Sequence, residues 1–169
     1  TGNMQNSLSY EYKQSNTGAP RYVFVVCHSD QQNTIQTNYT LYRHCNIDSV
    51  TIKLDGRLYP NLTQNGNFLE NNYITFYKDF KNICQNLGND CAITLSEFKD
   101  LYSIFAIDLT NQKDKLSNMP IDLSINIHRR AIPINNDILQ NPINVTTYII
   151  ILSERKYKFD CIRNRVTSA

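Results

Sequence analysis

Asn46-Ile47-Asp48-Ser49-Val50-Thr51-Ile52-Lys53-Leu54-Asp55-Gly56-Arg57-Leu58-Tyr59-Pro60 reads as a strand, a tight turn and a returning strand. Val50, Ile52 and Leu54 point one way and Thr51, Lys53 and Asp55 the other, because side chains alternate along an extended chain. Asp55-Gly56 marks the turn, since a type I′ hairpin needs positive φ at both central residues. Pro60 ends the pairing by removing a backbone donor.

The same period of two recurs on both sides of this hairpin. Leu8–Lys13 and Ile121–Ile127 alternate cleanly, the latter with Asp122, Ser124, Asn126 and His128 on a wet face. Tyr22–Cys27 is a continuous apolar run that suits a strand buried on both faces. Tyr39–His44 has an extended character, and Ser103–Leu109 and Tyr157–Ile162 read as further strands. Val145–Leu152 is apolar on both sides, which predicts a central strand. Between these strands, apolar residues at positions 73, 76, 77, 80, 83, 84 and 87 have helical spacing, with Gly88 as the stop. Thr94 and Glu97 form a capping-box pattern for a second, shorter helix reaching Tyr102. The expectation is an all-β fold: an antiparallel jelly-roll sandwich of about eight strands with a helical insertion around residues 70–102. Residues 1–6 form a loose tail, and a single domain covers 7–166.

A length of 169 residues buries a real core in one domain. The net charge of +2 argues against a nucleic-acid or anionic-membrane partner recognised by charge. No apolar stretch approaches the roughly 20 residues of a membrane-spanning helix. The polar opening Thr1–Ser7 has no signal-peptide profile and no initiator Met, which predicts a processed or excised chain. Its three sequons, at Asn38, Asn61 and Asn144, are therefore expected to stay unmodified.

Chemistry-bearing residues are few. Cys27, Cys45, Cys84, Cys91 and Cys161 are odd in number and none is spaced Cys-x-x-Cys, so reduced thiols are expected. Cys84 and Cys91 are near enough in sequence to close a small loop. Cys27-His28 and His44-Cys45 carry zinc-ligand types, but adjacent residues on strands face opposite ways. Asp108, Asp122 and Asp160 sit on strands, and no spacing makes any two of them an acid pair, so Asp108 is expected to bond locally at its strand end. No phosphate loop, nucleophile elbow or cofactor motif is present, which implies no cofactor and no enzymatic activity. Arg129-Arg130 and the group Arg155, Lys156, Lys158, Arg163 and Arg165 offer charge for packaged nucleic acid or acidic neighbours, against the plainer reading of solvated strand ends and edges protected by charge.

In order, Ile52-Lys53-Leu54-Asp55-Gly56-Arg57-Leu58-Tyr59-Pro60, the aromatic helix at 73–87, Phe105-Ala106-Ile107-Asp108-Leu109, Leu123–Pro133, and Val145–Asp160 followed by Arg163-Asn164-Arg165-Val166 form a pattern. It resembles the C-terminal jelly roll of double-jelly-roll, hexon-like major capsid proteins, as in adintoviruses, Polinton/Maverick elements and virophages. The likeness covers roughly residues 20 to 166. It implies structural roles for Asp55, Gly56, Tyr59, Pro60, Phe105, Asp108, Leu109, Asp160 and Arg163. It also implies a virion protein, built inside the host cell, whose partners are itself (as a homotrimer or shell) and other capsid proteins. Those relatives carry two rolls in tandem, and this length accommodates one. The competing reading is a jelly-roll binding module whose end loops meet a glycan, receptor or protein. The loops at 29–38, 61–72 and 111–120 hold few aromatic residues for a sugar platform.

Overall fold

The computed structural model describes residues 7–14, 18–29, 41–60, 65–111, 121–130, 145–154, 157–160 and 165–168. The chain runs β1 (Ser7–Gln14), β2 (Pro20–Ser29), β3 (Ile47–Leu54), β4 (Arg57–Tyr59), α1 (Ile74–Asn86), α2 (Leu95–Asp100), β5 (Ile104–Asp108), β6 (Ile121–Arg129), β7 (Val145–Ser153), β8 (Tyr157–Asp160) and β9 (Arg165–Ser168). Seven strands form two antiparallel sheets, ordered β1-β6-β3-β4 and β5-β2-β7. Apart from the β3–β4 hairpin, each successive strand of the seven crosses to the other sheet, as in a jelly roll. The all-β sandwich expected from the sequence is therefore what the chain forms.

Inward residues of both sheets meet in one core. Val50, Ile52 and Leu54 of β3 join Ile121, Leu123, Ile125 and Ile127 of β6 on one side. Val23, Val25 and Cys27 of β2, each fully buried, join Phe105 and Ile107 of β5 on the other. Burying one such aliphatic side chain contributes about 1.5–3 kcal/mol, so these strands dominate the stability of the domain.

The helices sit in the β4–β5 connection, as the spacing predicts. Phe76, Phe80 and Ile83 form the buried face of α1, which packs along β5. The helix closes in a Schellman arrangement: Gly88 N–H donates to the Gln85 carbonyl at 2.9 Å and Asn89 N–H to the Cys84 carbonyl at 3.0 Å. At α2, Thr94 and Glu97 make the reciprocal capping box. The bonds from the Thr94 N–H and hydroxyl hold the Glu97 carboxyl below the usual carboxylate range. Fully buried Phe98 fixes α2 under α1, edge-on to Tyr77 at 5.5 Å.

Four details differ from the sequence reading. Leu41–His44 forms no strand; Tyr42 makes a single parallel bridge to Tyr102, and Cys45 and Asn46 follow in the left-handed region. The described strands number nine rather than eight, because β8 stops at Asp160 and the expected tail returns as β9. Val166 and Thr167 are β-branched and pair readily with a neighbouring extended segment. The β8–β9 hairpin forms its own two-stranded ladder, and β9 runs past the expected boundary at 166. Lastly, β7 is not central. Among the described residues its strand partner is β2, which places it at the end of its sheet. Its two-sided apolarity does not come from being enclosed on both faces.

Candidate functional site

The residues singled out by the family-like motifs lie in turns and core. Asp55 and Gly56 have φ of 49° and 83°, the geometry of the type I′ turn. A Cβ on Gly56 would meet nothing within 4 Å, so glycine is favoured there by backbone angle rather than by space. Asp55 also ties the turn to β6: its N–H donates to the Asp122 carbonyl at 2.9 Å, and its Oδ1 accepts from the Asp122 N–H at 3.2 Å. Tyr59 is buried opposite Ile52, and Pro60 lines a cavity beside it. Phe105 anchors an aromatic cluster, 5.2 Å from Phe76 and 6.0 Å from Phe68, both edge-on. Asp108 Oδ1 accepts from the Thr110 N–H at 2.7 Å and its hydroxyl at 2.6 Å. Leu109 is fully buried, its N–H donating to the Arg21 carbonyl at 2.8 Å. Asp160 ends β8 opposite Arg165. Arg163 lies outside the described residues, as do Arg155 and Lys156.

The two Cys-His pairs split. Cys27 and Cys45 come together in the core and share a hydrogen bond, which together with burial pushes the Cys45 thiol above its ordinary range. Cys27 Sγ also lies 3.6 Å from Thr147 Oγ1. Their histidine neighbours diverge. His28 stands edge-on to Tyr42 at 5.4 Å and to Tyr148 at 6.2 Å. His44 stacks flat on Phe68 at 4.4 Å, and its Nδ1 accepts from the Asn46 N–H at 3.0 Å. Burial, aided by the Lys99 charge, lowers the His44 pKa to about 4, so the ring is neutral near pH 7. Among the described residues, no three His, Cys, Asp or Glu side chains are grouped to hold a metal ion. Cys84 and Cys91 are half-buried free thiols in mutual contact across the end of α1.

A cavity of about 220 Å³ lies between α1 and β5, floored by Val50, Phe76, Phe105 and Ile107. Asp79 and Asp108 are among its lining residues. His128 is exposed and bonds Asp48 Oδ1 at 2.7 Å, while Arg129 Nε donates to the Cys45 carbonyl at 3.0 Å. Among the described residues no helix is long and apolar enough to cross a membrane. The loops considered for a glycan platform lie largely outside the described residues.

The surfaces differ more than the interior does. The outer face of the four-stranded sheet carries Glu11, Lys13, Thr51, Lys53, Asp122, Ser124 and Asn126. The outer face of the three-stranded sheet carries Tyr22, Phe24 and Val26 of β2 opposite Leu152, Ile150 and Tyr148 of β7. Tyr148 is 53% exposed, Ile150 51% and Leu152 39%, values more typical of charged side chains than of aliphatic ones. Sequence reading missed this face, because it treated the apolar outer residues of β7 as buried.

Two crossed-over antiparallel sheets with inert turn motifs define a jelly-roll protein. A family model for the double jelly roll-like domain matches residues 3–156, and the chain belongs to that family. No curated protein and no solved structure matches it.

Proposed function

We propose that this chain is a structural building block that assembles with copies of itself, one jelly roll of a capsid-type shell, and not an enzyme. The observation that carries this reading is membership of the double jelly roll-like family across residues 3–156. A sealed sandwich suits the role: two packed sheets make a rigid brick whose connections can vary without disturbing its core, while its flanks make repeated contacts. The side chains of the turn and core motifs are taken up in local hydrogen bonds and packing, in keeping with scaffolding rather than chemistry.

On the finer scale, the motif order supports a hexon-like major capsid protein of the adintovirus, Polinton/Maverick or virophage type. A virion location, a homotrimeric capsomer and contacts with other capsid proteins follow from that likeness. The test is sedimentation velocity with negative-stain electron microscopy across protein concentration and salt. Defined oligomers or sheet- and shell-like particles are expected. A strict monomer under every condition would overturn the reading.

A further inference from the structure

We propose that Cys84 and Cys91 are a redox modification site: an accessible dithiol that closes to a disulfide and clamps the end of α1 to the segment leading into α2. The clamp acts within one chain and does not depend on self-assembly.

Local sequence brings the two thiols together. Six residues separate the cysteines, and Gly88 lies between them with φ of 75°. That left-handed turn, closed by the bond from the Asn89 N–H to the Cys84 carbonyl at 3.0 Å, folds the chain back over the last turn of α1. Tyr77, Lys81 and Cys84 stand at helical spacing on one face of α1. Each of them meets the returning segment. Tyr77 Oη donates to the Ile93 carbonyl at 2.9 Å, and Lys81 Nζ donates to the Cys91 carbonyl at 3.0 Å. The Cys84 thiol shares a hydrogen bond with the Cys91 thiol. Just beyond, the capping box of Thr94 and Glu97 fixes the far end of the segment. A disulfide would therefore add a covalent link to a stripe that already grips residues 91–93, with little backbone movement.

Access separates this pair from the other one. Cys27 and Cys45 also touch, but they are 0% and 4% exposed between the sheets. Cys84 and Cys91 are half-buried, and the residues between them, 85–90, are exposed. Burial and the Cys91 thiol push the Cys84 thiol above its ordinary range, and the Lys81 charge works against them. The resting pair is a dithiol that an oxidant in solution can reach.

The oxidant is a small-molecule disulfide such as oxidised glutathione. One protein thiolate attacks a sulfur of that disulfide, whose S–S bond breaks and releases one small thiolate. The second protein thiolate attacks the protein sulfur of the mixed disulfide, forms the Cys84–Cys91 bond and expels the second small thiolate. The two protons lost by the protein end on the two small thiols, so two protein thiols are oxidised and one small disulfide is reduced. Surroundings rich in reduced glutathione keep the clamp open, and oxidising surroundings close it.

The experiment equilibrates the folded wild-type chain with reduced or oxidised glutathione, alkylates the remaining thiols, and locates the linked pair among the five cysteines by peptide mass spectrometry. Thermal melts are run on both forms. In oxidised glutathione a Cys84–Cys91 cross-link should form, and the melting temperature should rise by about 5 °C. Dithiothreitol should reverse both changes. In Cys84→Ser and Cys91→Ser the same treatment should leave no internal cross-link at this site and no rise in melting temperature. Wild-type Cys84 and Cys91 that stay free, or that carry glutathione separately, would overturn the pairing. A cross-link that leaves the melt unchanged would overturn its role as a clamp.

Discussion

β6 and β7, one from each sheet of this sandwich, differ on both faces, and most on the outer one. β6 alternates buried Leu123, Ile125 and Ile127 with exposed Asp122, Asn126 and His128, one side for the core and one for water. β7 alternates half-buried Thr147, Ile149 and Ile151 with exposed Tyr148, Ile150 and Leu152, both sides apolar. The pleat puts alternate residues on opposite faces in both strands, so the difference lies in what the outer residues are. Solvent accounts for the outer face of β6. It does not account for that of β7, whose outer side chains are large, apolar and exposed.

The sharpest way to break this comparison is to make the same truncation in both strands. Ile125→Ala should cost about 2–5 kcal/mol by chemical denaturation, because Ile125 is 1% exposed and leaves a cavity between the sheets. Ile150→Ala should cost less than about 1 kcal/mol in the monomer, since half of its surface already meets water. Equal costs would mean that β7 is enclosed on both faces and that the contrast is false.

Acid probes the interior that the two faces share. The fold holds His44 at about 4, whereas an unfolded histidine titrates near 6.5. Between those values the unfolded chain binds the proton and the folded chain resists it. The stability contributed by neutral His44 is therefore whole above about pH 6.5, falls through the window and is lost below about pH 4, a total of about 3 kcal/mol. Denaturant midpoints measured from pH 7 to 4 should show that slope, and His44→Phe should flatten it. An unchanged slope in the variant would assign the acid sensitivity elsewhere.

Gly66 offers a smaller test. A Cβ there would run into Phe76 Cε2, so Gly66→Ala must displace the ring that meets Phe105. A loss of about 1–3 kcal/mol is expected from thermal melts. An unchanged melt would mean that the Phe76 ring moves aside without losing its packing on Phe105. The smallest effect is chemical. Brief iodoacetamide treatment of the folded chain should alkylate Cys84 and Cys91 well before Cys27 and Cys45, read by peptide mass spectrometry. Early labelling of Cys27 would show that the inner face of the β2-β7 sheet opens.

Much of this was legible residue by residue. Asp55-Gly56 announced its turn because few residue pairs tolerate positive φ, and the two left-handed angles are there. Thr94 and Glu97 announced a helix start because their bonds are local, and the capping box formed. Asp108 was expected to bond near its own strand end, and it bonds Thr110. Local geometry of this kind depends on neighbours in sequence.

The rest depended on neighbours in space. Nothing near residue 27 shows that Cys27 meets Cys45, or that their adjacent histidines part. Nothing within Val145–Ser153 shows whether an apolar outer face is covered. By itself the sequence determined strand periods, turns, caps and the sandwich class, because each follows from backbone angles and side-chain alternation over a few residues. Only the tertiary structure decided that β7 lies at the end of its sheet with its outer face exposed, because pairing order is set by contacts between strands more than a hundred residues apart.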